Sequence, residues 1–119
     1  MGSRWFSVII DAADPARLAR WWAEVLDYRI VFEGRNTISI SGGTPPSLSF
    51  VGVTEPKAGK NRLHIDLNPD DQEAEVERLV NMGARRVDIG QGDVPWVVLA
   101  DPEGNEFCVL TARDQGDQA

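Results

Sequence analysis

The sequence predicts an α+β fold of two βαβββ modules whose eight strands make a curved mixed sheet around a cavity. Three observations predict it. The order strand, helix, three strands occurs twice over roughly equal lengths, and a repeat this long marks a duplicated unit. WVVLADPEGNEFCVL, residues 96–110, reads as two apolar strands joined by a tight turn, with Pro102 at the position of preset φ and Gly104 supplying a positive φ. RLHIDL, residues 62–67, is a further short strand and carries the only histidine of the chain, His64.

The elements follow in order. WFSVII, residues 5–10, is rich in β-formers. Asp14 is placed as an N-cap with Pro15 at the first helical position, and Leu18, Trp21, Trp22, Val25 and Leu26 then form one apolar stripe at helical spacing. Strands are expected over 28–32, 37–40 and 48–53, split by Gly34-Arg35-Asn36 and by Gly42-Gly43-Thr44-Pro45-Pro46. TEPKAGKN, residues 54–61, suits a linker. The second module begins with a strand over 63–67. Pro69 and Asp70 open its helix, with Glu73 at a capping-box-like spacing. Val76, Leu79, Val80 and Met82 form the apolar stripe, and Gly83 ends the helix. Strands over 86–89, 96–100 and 106–110 complete the repeat. The expected organisation is one domain over 1–119, with module 1 about 4–53, the linker 54–61 and module 2 about 62–112.

Composition narrows the partners. A chain of 119 residues can bury a core without staples, and 42% hydrophobic with 26% charged residues is the balance of a soluble domain. A net charge of −7 argues against nucleic acid and against an anionic membrane surface, both of which need a basic stripe. No apolar run approaches the ~20 residues of a membrane span, and MGSRWF carries no apolar signal segment. Cys108 is the only cysteine, so no intramolecular disulfide is expected and a reducing cytoplasm is the expected compartment.

The paired βαβββ pattern, with DAADPARLARWWAEVLDY in the first half and KAGKNRLHIDL and WVVLADPEGNEFCVL in the second, resembles the vicinal oxygen chelate superfamily. That group includes glyoxalase I, the bleomycin- and fosfomycin-resistance proteins and the extradiol dioxygenases, and the chain is most similar to its small glyoxalase-like domains. The resemblance covers nearly the whole sequence. It implies the glyoxalase/bleomycin-resistance/dioxygenase fold, a small-molecule ligand and a homodimer. It also implies four cavity-facing positions at which the superfamily holds a divalent metal: Ser7, seven residues before Asp14; His64, seven before Asp71; Cys108, seven after Asp101; and Val51, its half-repeat equivalent. That set suits a metal poorly, because Ser7 is a weak ligand and Val51 offers no donor. No metal cofactor is therefore expected. His64 and Cys108, joined by Asp66 or Glu106, are the weak candidates for zinc.

Strand alternation then sorts the candidate site residues, since residues two apart share a face. His64 is either a hydrogen-bonded wall residue or a general acid/base suited to neutral pH, with Asp66 two residues on to orient it. Glu106 shares the face of Cys108 and is either a rim carboxylate or a supporting acid/base. Cys108 is either a packed thiol or a nucleophile. Trp5 shares the face of Ser7, and the resemblance implies an aromatic near the pocket entrance at Trp96 and wall contacts at Ser7, Val51 and Cys108. The two indoles are candidate stacking partners for a flat ligand, whereas Trp21 and Trp22 are expected in the core. Lys57, Lys60 and Arg62 are the one basic cluster, either solvated linker charge or a rim contact for a ligand carboxylate. The expected function is small-molecule binding, as a lyase or isomerase working through His64, Asp66 and Glu106, or as a non-catalytic sequestering protein of the resistance type.

Overall fold

The computed structural model describes residues 2–112, so residues 1 and 113–119 of the expected domain lie outside the described part. The chain divides into two compact units, 1–57 and 58–119, and each contains one βαβββ repeat. The eight strands form two four-stranded mixed sheets, one to each repeat, in the α+β fold that the sequence predicts.

In unit 1 the elements are β1 (Ser7–Ala12), α1 (Pro15–Leu26), β2 (Arg29–Glu33), β3 (Thr37–Ser41) and β4 (Ser47–Gly52), in sheet order β1-β4-β3-β2. Helix α1 starts where a side chain can satisfy its free amides: the Asp14 carboxylate accepts from the Arg17 N–H at 3.1 Å, a cap worth about 1 kcal/mol. It stops at Asp27, whose φ of 56° turns the chain into the left-handed region. Leu18, Trp21, Trp22 and Val25 are buried along the helix, as the periodicity predicts, with the two indoles edge-to-face at 5.1 Å.

The sheet presents alternate residues to the core. Ile38, Ile40, Leu48 and Phe50 are buried, and the residues between them, half-buried Ser39 and buried Ser49, carry hydroxyls on the opposite face. A β-bulge changes this alternation in β2. Ile30 faces Ile40, but Phe32 faces Ser39 and Glu33 faces Ile38, so the one-residue slip turns Phe32 to the face of the serines. Glu33 is thereby brought to the helix side, where it meets Arg20 of α1 at 3.3 Å.

Unit 2 contains β5 (Ile65–Leu67), α2 (Gln72–Asn81), β6 (Arg85–Arg86), β7 (Val97–Ala100) and β8 (Glu106–Val109), in the equivalent order β5-β8-β7-β6. The outer strands are shorter than expected. Leu63, placed in β5 by its apolar character, is 86% exposed, and the strand begins at Ile65. Of the strand expected over 86–89, only Arg86 belongs to β6. Val87 still donates to the Val98 carbonyl, but the Ile89 N–H goes to Gln91 Oε1 and the Gly90 N–H to Asp88 Oδ1. Local side chains thus take the amides that a longer ladder needs.

Helix α2 is capped by Asp71, not Asp70, because the Asp71 carboxylate reaches the Ala74 N–H at 3.1 Å. Val76 and Leu79 are buried beneath it, Val80 is 40% exposed, and Met82 is the C-cap before Gly83 at φ 111°. Phe107 and Val109 face the core, and the 101–105 turn closes the β7–β8 hairpin with Gly104 at φ 89°. Among the described residues no helix is long and apolar enough to cross a membrane.

Candidate functional site

The chemistry gathers on the face of the unit 2 sheet opposite Phe107 and Val109, beside its β5 edge. Strands β5 and β8 run parallel with Ile65 opposite Phe107, Asp66 opposite Cys108 and Leu67 opposite Val109. Phe107, Val109 and Leu67 are buried in the core, so pleat alternation turns Asp66 and Cys108 to the other side. His64, one residue before β5, shares their face. Its Nε2 lies 3.1 Å from Asp66 Oδ1.

Exposure decides what this pair is for. The side chains of His64 and Asp66 are 45% and 51% exposed, and an ion pair so open to water contributes under about 1 kcal/mol of stability. Orientation is its larger effect. With Nε2 the ring atom beside the carboxylate, Nδ1 is the one turned from it, and the side chain is 45% exposed.

Cys108 is buried at 5% exposure beneath the pair. Burial pushes its thiol pKa up; the negative charge of Asp66 and the hydrogen bond to Asp66 push it the same way, against a weaker pull from Lys60. The thiol is therefore protonated at neutral pH and donates to Asp66, which rules it out as a ready nucleophile. Asp66 is the hub of the cluster, with the His64 ring 3.1 Å away on one side and the Cys108 thiol on the other. The donor atoms of His64, Asp66 and Cys108 all lie within 4.8 Å of one another.

Glu106, on the same strand as Cys108, is engaged with the linker. Its Oε1 accepts the Asn61 backbone N–H at 2.9 Å, and its carbonyl accepts from Asn61 Nδ2 at 3.3 Å. It ties the segment leading into His64 to β8. Trp96, immediately before β7, is 39% exposed. Two surface depressions flank α2, and neither includes His64, Asp66 or Cys108.

The remaining expected contacts belong to unit 1. Ser7 Oγ donates to the Ser47 carbonyl at 3.3 Å and lies 3.5 Å from Ser49 Oγ, which in turn is 2.7 Å from Ser39 Oγ. Val51 sits half-buried on β4, opposite Asp11 of β1, and Trp5 precedes β1 with 68% exposure. The sequence reading singled out Ser7 but missed Ser39 and Ser49, although their alternation with Ile38, Ile40, Leu48 and Phe50 was there to be read. It also missed Phe32, which only the bulge turns to that face. The four positions implied by the resemblance do not fit a divalent metal: Val51 has no donor atom, and Ser7 offers only a neutral hydroxyl.

The sequence profile of the Glyoxalase-like domain family matches residues 7–110. No curated protein matches the chain. Among solved structures, the fold is similar to a glyoxalase/bleomycin resistance protein/dioxygenase family enzyme from Burkholderia phytofirmans PsJN, at 16% identity and a TM-score of 0.68, covering 87% of this chain and 94% of that one. It is similar also to a bleomycin resistance determinant encoded on the transposon Tn5, at 17% identity and a TM-score of 0.60, covering 91% and 97%. A member of the same superfamily from Sphaerobacter thermophilus gives 16% identity and a TM-score of 0.65, covering 90% and 95%. Identities this low establish the shared fold and leave the chemistry to the residues.

Proposed function

This chain belongs to the glyoxalase-like domain family, and we propose that within it the protein binds a small organic molecule and acts as a lyase or isomerase, with His64 moving the proton. The observation that carries this reading is the 3.1 Å contact from His64 Nε2 to Asp66 Oδ1, whose side chains are 45% and 51% exposed. A base so held presents Nδ1 to a carbon acid, and Asp66 stabilises the imidazolium that forms when the proton arrives. Glu106 supports the site by fixing the linker before His64. Cys108 and Trp96 are proposed ligand contacts in unit 2, and Trp5, Ser7 and Val51 in unit 1. The exposed apolar side chains of Trp5, Phe6 and Ile9 support a homodimer, and the free thiol of Cys108 suits a reducing cytoplasm.

A panel of small hydroxyketones, ketoacids and aldehydes in D2O tests the reading by proton NMR. At least one compound that quenches tryptophan fluorescence is expected to exchange the hydrogen next to its carbonyl for deuterium in the presence of the protein. Quenching without exchange across the panel would instead favour the second reading, a sequestering protein of the resistance type. The exposed indoles of Trp5 and Trp96 support that reading, and the net charge of −7 favours a cationic ligand for it.

A further inference from the structure

We propose that His64, Asp66 and Cys108 form a zinc site contained wholly within unit 2. The superfamily takes one ligand from each of four strands spread over two modules, and here that set fails at Val51 and Ser7. The triad keeps His64 and Cys108 of those positions and replaces the failed pair with Asp66, so that all three residues lie on or beside the β5–β8 pair.

Geometry and chemistry agree on the ion. Zinc bonds of 2.0–2.3 Å in a tetrahedron hold ligand atoms ~3.3–3.8 Å apart. The three donor atoms already lie within 4.8 Å of one another, with the His64–Asp66 edge at 3.1 Å. The His64 and Asp66 side chains, 45% and 51% exposed, have solvent rather than packed neighbours on the side from which an ion would enter. One imidazole, one carboxylate and one thiolate balance the +2 charge, and the sulfur ligand favours zinc over magnesium, calcium or manganese. The buried Cys108 forms the floor, while the exposed His64 and Asp66 leave a route in from solvent and a fourth position open. Binding displaces the thiol proton and replaces the Asp66 contact that holds it.

The full chain, stripped with a chelator and titrated with Zn2+ alone, should take up one equivalent and release one proton. Replacement of zinc by Co2+ should give sulfur-to-cobalt charge-transfer absorption in the near ultraviolet. Cys108→Ser should lose that band. His64→Ala, a change at an exposed position that does not threaten folding, should weaken zinc binding by about tenfold or more. Absence of a thiolate band in folded protein, or zinc affinity unchanged in His64→Ala, would overturn the proposal. The site does not rest on proton transfer by His64. Zinc binding without deuterium exchange would uphold the metal assignment and remove the proposed catalysis, and exchange without zinc binding would do the reverse.

Discussion

Replacing His64 by Ala is expected to slow deuterium exchange by about 10²–10⁴-fold, the usual contribution of a positioned general base. Affinity for the same compound should change little, because the ring is one edge of the site and the remaining contacts persist. Stability should also change little. The side chain is 45% exposed, and surface substitutions of this kind stay within about 0.5 kcal/mol. Asp66→Asn should give a smaller loss of rate, since the amide can still orient the ring but no longer stabilises the imidazolium. Exchange at the wild-type rate in His64→Ala, measured by NMR with the fold verified by circular dichroism, would remove His64 from the chemistry.

The second large effect is structural. Asp101 is 1% exposed, and its Oδ1 accepts from the Glu103 and Asn105 backbone N–H groups, both at 2.9 Å, while Oδ2 accepts from Asn105 Nδ2 at 3.0 Å. One carboxylate thus organises the turn that pairs β7 with β8, and with it the register that sets Val98 against Cys108. Asp101→Ala leaves these donors without an acceptor, which costs about 3 kcal/mol or more and lowers Tm by roughly 10 °C or more. Asp101→Asn keeps one oxygen for the two backbone donors, and its cost should be about 1 kcal/mol. Thermal denaturation of the two variants side by side checks both figures. Equal stability of Asp101→Ala and wild type would show that the turn is held by Pro102 and Gly104 alone.

The same turn illustrates what the sequence makes legible. Pro102 and Gly104 act through their own backbone preferences, so a reader needs no tertiary knowledge to find the hairpin. Helix α1 is legible for a similar reason: Asp14, Pro15 and an apolar stripe act within a few residues of one another. The edge strand β6 is not, because Val87 and Ile89 look like strand residues and only the competing hydrogen bonds from Asp88 and Gln91 end the ladder. Choosing between Asp70 and Asp71 as the cap likewise depends on which carboxylate reaches an amide three residues on.

For the site, pleat parity pairs His64 with Asp66 and Glu106 with Cys108, the resemblance implies one cavity for His64 and Cys108, and the structure brings the donor atoms of His64, Asp66 and Cys108 together. Parity does not reveal that Asp66 serves both neighbours, because that depends on the register between β5 and β8, two strands roughly 40 residues apart in the chain. Nor does it reveal that the Glu106 carboxylate accepts from Asn61, since the path of a linker is set by contacts that no local pattern encodes.

A crystal structure of the protein soaked with the tightest-binding compound of the panel bears most directly on His64. The expected result is the ligand beside His64 on unit 2, with its carbonyl-adjacent carbon toward Nδ1 and Nε2 still next to Asp66. A ligand bound elsewhere, or an imidazole turned away from it with the Asp66 contact broken, would contradict proton transfer at this residue.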